Sequence, residues 1–205
     1  MAPSELFDGE PATTREAMME ATYRALKTHG YANLTVQNIG DEFAKSKSLL
    51  YHHYDGKDEL LVDFLEFMLE RFEDDVLGGE VDDPAAYLGT LLDRSLPDDL
   101  EDGRAAFTRA MIELRAQAAH DPAYRDHFTR SDRLFHDHLA GVVREGVTRG
   151  DFRDVDPDRV AALLLTAIDG ARLRRATADD AGTVRATRRE LEAYLEAVLL
   201  ADGAK

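Results

Sequence analysis

Leu34 through Leu61 read LTVQNIGDEFAKSKSLLYHHYDGKDELL, and this stretch decides the fold. Thr35 is placed to accept from a free amide at a helix start, and Val36, Ile39, Gly40 and Phe43 then share one face of a helix of barely two turns. Ser46 is the cap candidate of a second short helix ending near Tyr54. At about 100° per residue, Leu50 and Tyr54 lie on one side of it, while Lys47, Ser48, Tyr51 and His52 lie on the other. Asp55-Gly56 breaks the helix, and from Lys57 a longer one opens with Asp58 and Glu59 where the macrodipole favours acids. Two short helices joined by a tight turn follow the helix-turn-helix plan, in which the second helix enters a major groove. The outward face suits that task, since lysine bonds guanine O6 or N7 and hydroxyls reach bases or phosphates.

Beyond this stretch the periodicity stays helical. Thr14 to His29 places Met18, Ala21, Thr22, Ala25 and Leu26 at spacings of three and four and stops at Gly30, a glycine C-cap. The helix from Lys57 carries Leu60, Leu61, Phe64, Leu65, Met68 and Phe72 and should reach about Leu77, before Gly78-Gly79. Pro84 suits the first turn of a fifth helix ending at Ser95, with Pro97 interrupting. A sixth spans about Asp102 to Ala119, and a seventh begins at Asp121-Pro122 and ends at Gly150. An eighth covers about Pro157 to Ala176 and a ninth about Thr183 to Leu200. No strand pattern competes and nothing repeats at a fixed period, so the expected class is all-α with about nine helices.

The chain of 205 residues carries a net charge of −16, which at first argues against nucleic acid. Its distribution argues otherwise. Between residues 11 and 57, Arg15, Arg24, Lys27, Lys45, Lys47 and Lys57 outnumber Glu16, Glu20, Asp41, Glu42 and Asp55. Lys45, Lys47 and Lys57 form either a solvated face or a phosphate-docking patch on an acid-coated protein. An acid-rich, lysine-poor, cysteine-free surface also fits a halophile, whose cytoplasmic salt screens the self-repulsion. Without cysteine there is no disulfide framework, thiolate nucleophile or cysteine-ligated zinc. No targeting segment or membrane span is apparent, so a soluble cytoplasmic protein is expected. His136-Asp137-His138, with His120 and His127, invites a metal reading. Residues 136 and 138 point about 200° apart on one helix and cannot chelate together, so solvated histidines and no metal or cofactor are expected. No nucleophile-base spacing, phosphate loop or paired catalytic carboxylates stands out, and no enzyme is expected.

The order Leu34-Thr35-Val36-Gln37-Asn38-Ile39, Ser46-Lys47-Ser48-Leu49-Leu50-Tyr51-His52-His53-Tyr54 and Gly56-Lys57-Asp58-Glu59-Leu60-Leu61 resembles the DNA-binding head of TetR-family regulators, over about residues 14 to 61. The resemblance implies phosphate contacts for Thr35, Tyr51 and Lys57 and groove contacts for Lys47, Ser48 and His52, with Lys45 and Ser46 at the same surface. It departs from the family at Ala44, where a turn glycine is usual, at Lys45, usually small and apolar, and at Leu49, usually Thr or Ser. Leu49 either meets a thymine methyl or packs on the preceding helix, and packing is favoured. The implied organisation is a polar tail over 1–10, a helix-turn-helix domain over 11–57, and an effector-binding and dimerisation domain over 58–205.

In the body, the run from Arg149-Gly150-Asp151-Phe152 through Asp156-Pro157 to Ile168-Asp169-Gly170 is similar to the family's eighth helix and its entry. The family pairs its last two helices with their twins in a homodimer. Leu164, Leu165, Ile168, Leu191, Leu195, Val198 and Leu199 suit that pairing, or else ordinary intrachain core. The resemblance implies an effector pocket between helices four and seven. Its apolar candidates are Phe64, Phe67, Met68, Phe72, Tyr87, Leu91, Phe107, Met111, Phe128 and Phe135, a set suited to a hydrophobic or aromatic small molecule, though most belong equally to a core. The expectation is a ligand-responsive repressor that binds a palindromic operator in double-stranded DNA as a dimer. The alternative is a helical small-molecule-binding or interaction protein without sequence-specific DNA binding.

Overall fold

The computed structural model describes residues 7, 9–74, 81–178 and 181–199. Among them lie nine α-helices and no strand: α1 Thr14–Asn33, α2 Val36–Glu42, α3 Lys47–His53, α4 Lys57–Phe72, α5 Pro84–Ser95, α6 Asp102–Gln117, α7 Pro122–Arg149, α8 Pro157–Thr177 and α9 Ala181–Tyr194, the last followed by a π-turn over Leu195–Leu199. The expected end of α4 near Leu77, and Leu200, fall outside the described residues. No described helix is long and apolar enough to cross a membrane.

Punctuation sets the helix ends. Thr13 accepts from the Glu16 amide while the Glu16 carboxylate accepts from the Thr13 amide, a reciprocal cap that opens α1. Gly30 takes φ 65°, a conformation that costs glycine little, and kinks the helix three residues before its end. Thr35 caps α2 through the Asn38 amide, and the Asp83 and Asp156 carboxylates cap α5 and α8, each with proline in the first turn.

The chain divides into two compact units, residues 1–78 with 100–129, and residues 79–99 with 130–205. This grouping differs from a boundary at 57/58 because α4, α6 and the start of α7 share one core with the three-helix head. In that first unit Met18, Met19, Leu26, Ile39, Leu50, Leu60 and Phe64 pack together, and the Phe107 ring meets Tyr23 edge-on at 5.0 Å. Three ion pairs bind α1 to α4: Arg15 to Asp63, Arg15 to Glu70, and Arg71 to Glu16.

In the second unit α5, the remainder of α7, α8 and α9 close around Leu88, Leu92, Leu139, Val143, Leu164, Ile168 and Leu191. Three arginines gather the last carbonyl of α5 and the two that follow it, Arg172 donating to Ser95, Arg188 to Leu96 and Arg175 to Pro97. Gly150, at φ 82°, ends α7 and turns the chain so that the Phe152 ring lies on Gly146. Of the two places open to the leucines of α8 and α9, a dimer seam or intrachain core, burial within the chain supports the core. Leu164, Ile168, Leu191, Leu195 and Leu199 are buried within their own chain, and Leu165 packs half-buried on the same core. The Val198 side chain lies outside the described residues. The exposed side of α8 includes Leu163, Thr166, Gly170, Leu173 and Thr177, with the two leucines 46% and 48% exposed.

Candidate nucleic-acid interface

Leu50, on the inner side of α3, has no exposed surface and anchors that helix in the core of the first unit. Tyr54 is half-buried behind it, and its hydroxyl donates to Asp63 at 2.5 Å. Burial first, and then the neighbouring carboxylate, raise that phenol well above its ordinary range. Asp63 also receives Arg15 at 2.7 Å, so one carboxylate of α4 ties α3 to α1. The turn between α2 and α3 is anchored by buried Phe43. Ala44 carries no positive φ, so the turn is built without the left-handed residue that a glycine would supply. Leu49 packs half-buried against the core, as favoured from the sequence.

With α3 anchored in this way, Ser46, Lys47, Ser48, Tyr51, His52 and His53 face solvent, and Tyr51 is 60% exposed. Thr35 and Lys45 are exposed beside them. Most of these side chains have internal partners. The Thr35 hydroxyl accepts from the Asn38 amide at 3.1 Å. Ser46 stands at the cap position of α3 without capping it, because its hydroxyl lies 2.7 Å from that of Ser48. Lys45 donates to the Thr14 hydroxyl at 3.0 Å, and Lys47 is ion-paired with Asp41. Lys57 is drawn inward: its ammonium donates to the Tyr31 carbonyl at 3.2 Å and lies 4.3 Å from the centre of the Tyr31 ring. The Tyr31 and Tyr124 hydroxyls both donate to Asp58, at 3.1 and 3.0 Å. Burial and Asp58 push Tyr31 up to about 12. His53 and Asp41 belong to this surface as well. His53 stands inside the quoted motif, whereas nothing in the helical spacing marks Asp41 as the partner of Lys47.

The ten effector candidates divide between the two units. Phe64, Phe67, Phe107 and Phe128 are buried in the first core, with Met68, Met111 and Phe72 partly buried in the same unit. Tyr87, Leu91 and Phe135 are partly buried in the second. The histidines are not uniformly solvated. His127 is 4% exposed and lies 2.9 Å from the Glu66 carboxylate, because the apolar stripe of α7 turns it inward. His138 is half-buried with its Nε2 2.7 Å from the Tyr87 hydroxyl, and burial lowers its pKa. Among the described residues no three His, Asp or Glu side chains gather as a metal set.

Comparison with known proteins agrees with this geometry. Residues 18–64 match the family model described as "Bacterial regulatory proteins, tetR family", and residues 84–200 match "BetI-type transcriptional repressor, C-terminal". A TetR transcription regulator from Haloarcula marismortui ATCC 43049, known as a crystal structure, is 41% identical, with TM-score 0.78 over 91% of this chain and 98% of that one. The transcriptional repressor AcnR of Corynebacterium glutamicum is 24% identical over 82% of this chain and 85% of its own. The regulator BetI 2 of Chromohalobacter salexigens is 25% identical over 90% and 88%. A regulator from Saccharomonospora viridis, solved in complex with choline, shares the fold at 22% identity and TM-score 0.73, over 92% of this chain and 98% of that one. The chain belongs to the TetR family of DNA-binding transcriptional regulators, joining a tetR-type helix-turn-helix to a BetI-type C-terminal half.

Proposed function

We propose that this regulator acts as a cytoplasmic repressor that binds a palindromic operator as a homodimer and leaves it when a small effector binds. The observation that carries the reading is the exposure of Ser48, Tyr51 and His52 on the side of α3 opposite fully buried Leu50. Ser48 and His52 meet base edges, while Thr35, Lys45, Ser46 and Tyr51 sit at phosphates. Lys47 joins Ser48 and His52 at base edges and Lys57 joins the phosphate contacts, each by exchanging its internal partner for DNA. The two subunits pair through the α8 stripe of Leu163, Thr166, Gly170, Leu173 and Thr177, whose spacing of three and four gives one continuous face. The effector is apolar or aromatic and is received by partly buried Met68, Phe72 and Met111 beside the aromatic core. Choline, carried by the Saccharomonospora viridis relative, is the cationic counter-candidate. Ligand and DNA oppose each other because the effector favours the conformation that holds the two heads at the wrong spacing. The acid-rich surface suits molar salt, where counterion release contributes little to affinity.

The test is selection of sequences from a random duplex pool, followed by footprinting. The expected result is a dyad-symmetric site with half-sites about 34–36 Å apart, one helical turn. Enrichment of no sequence would contradict the reading.

A further inference from the structure

We propose that Asp41 is an affinity-limiting residue, holding the Lys47 ammonium back on α2 so that this lysine is withheld from phosphates of arbitrary sequence. The proposal rests on α3 being the DNA-facing helix. Two neighbouring residues of α2 define the position of Lys47. At Gly40 an added Cβ would lie 3.1 Å from Lys47 Cγ and 3.2 Å from Cδ, so the aliphatic stem lies flat against the glycine backbone. At the next residue, the Asp41 carboxylate pairs with the ammonium. Rotation about the helix axis sends the Lys47 Cα–Cβ bond outward, yet the side chain folds back along α2.

The pair stays exchangeable, since Lys47 is 46% and Asp41 57% exposed, and exposed ion pairs are weak. Of Lys45, Lys47 and Lys57, Lys47 is the one held by a carboxylate; the others donate to a hydroxyl and a carbonyl. Below molar salt, non-operator binding draws its free energy from counterions released as lysine and arginine neutralise phosphates. A lysine already neutralised by Asp41 yields little on moving to a phosphate, and leaves a bare carboxylate facing the DNA. Where a guanine presents O6 and N7 within reach, a base contact favours the exchange. Asp41 thus sets the level of DNA affinity: it removes the Lys47 contribution from non-operator binding and subtracts the cost of separating the pair from operator binding.

The experiment measures anisotropy of the full-length protein on two duplexes over a KCl series. One carries the sequence enriched by the wild type, and the other is poly(dI-dC). Asp41→Asn is expected to raise poly(dI-dC) affinity about three- to tenfold, and to steepen the dependence of log affinity on log salt by about one. The enriched duplex should gain at least as much, because on it the wild type must separate the Asp41–Lys47 pair. In a Lys47→Met background, which keeps the stem and removes the charge, the gain from Asp41→Asn should drop below about twofold. Gly40→Ala displaces the stem without altering charge and should raise poly(dI-dC) binding in the same direction. An equal gain in both backgrounds would overturn the proposal by assigning the effect to direct repulsion, and so would unchanged or weaker poly(dI-dC) binding by Asp41→Asn at wild-type helicity. If the wild type enriches no sequence, the operator reading fails, while the poly(dI-dC) measurements still decide the role of Asp41.

Discussion

Leu50 fixes which side of α3 meets solvent, and Leu50→Ala should cost about 2–5 kcal/mol of unfolding free energy, read from urea denaturation. Gly146→Ala should cost about 1–3 kcal/mol in the same assay, because its Cβ would come within 2.2 Å of the Phe152 ring. His138 supplies a pH dependence. Burial lowers it from its ordinary 6.5, so the folded chain resists the proton that the unfolded chain accepts. Above that value both states are neutral and nothing is lost; below it stability falls until the depressed folded value is also passed. The thermal midpoint should drop on acidification from pH 7 to about 5, and His138→Gln should remove part of that drop. At this scale the sequence reveals which side a residue leaves its helix on, but not where a long side chain ends. Lys47 stands on the expected exposed face, yet its ammonium returns to Asp41, and Lys57 turns inward to Tyr31.

Helix spans were legible because glycine, proline and capping side chains act locally. α5 begins at Pro84 behind the Asp83 carboxylate and ends at Ser95, as expected, and Gly150 closes α7 one residue beyond Arg149. The hydroxyl cap of α2 should contribute about 1 kcal/mol, so Thr35→Ala should lower the midpoint of the first unit modestly while weakening DNA binding. Which apolar face of α8 points inward was not legible. Leu163, Leu164 and Leu165 are consecutive, and helical periodicity alone does not choose among them. Contacts with α5, α7 and α9 take Leu164 and Ile168, leaving Leu163 and Leu173 outside. Leu163→Glu with Leu173→Glu should therefore shift the sedimentation coefficient from dimer to monomer at preserved helicity, whereas Leu164→Ala should lower stability without changing mass.

Across the whole molecule the net charge is −16, and the lysines of the head are few and mostly occupied by internal partners. Self-repulsion should make the fold salt-dependent, with the thermal midpoint rising as KCl shortens the Debye length from ~10 Å at 0.1 M to ~3 Å at 1 M. The compact grouping of α4, α6 and the start of α7 with the head was not legible, because the family motif ends near Leu61 and periodicity does not say which helices share a core. The outward side of α3 is the surface proposed to read DNA. The most direct test is the affinity of Ser48→Ala/Tyr51→Ala for the duplex enriched by the wild type, measured with circular dichroism and sedimentation on the same samples. Loss of at least about a hundredfold in affinity, at unchanged helicity and dimer mass, is the expected result. Wild-type affinity from that double variant would contradict it.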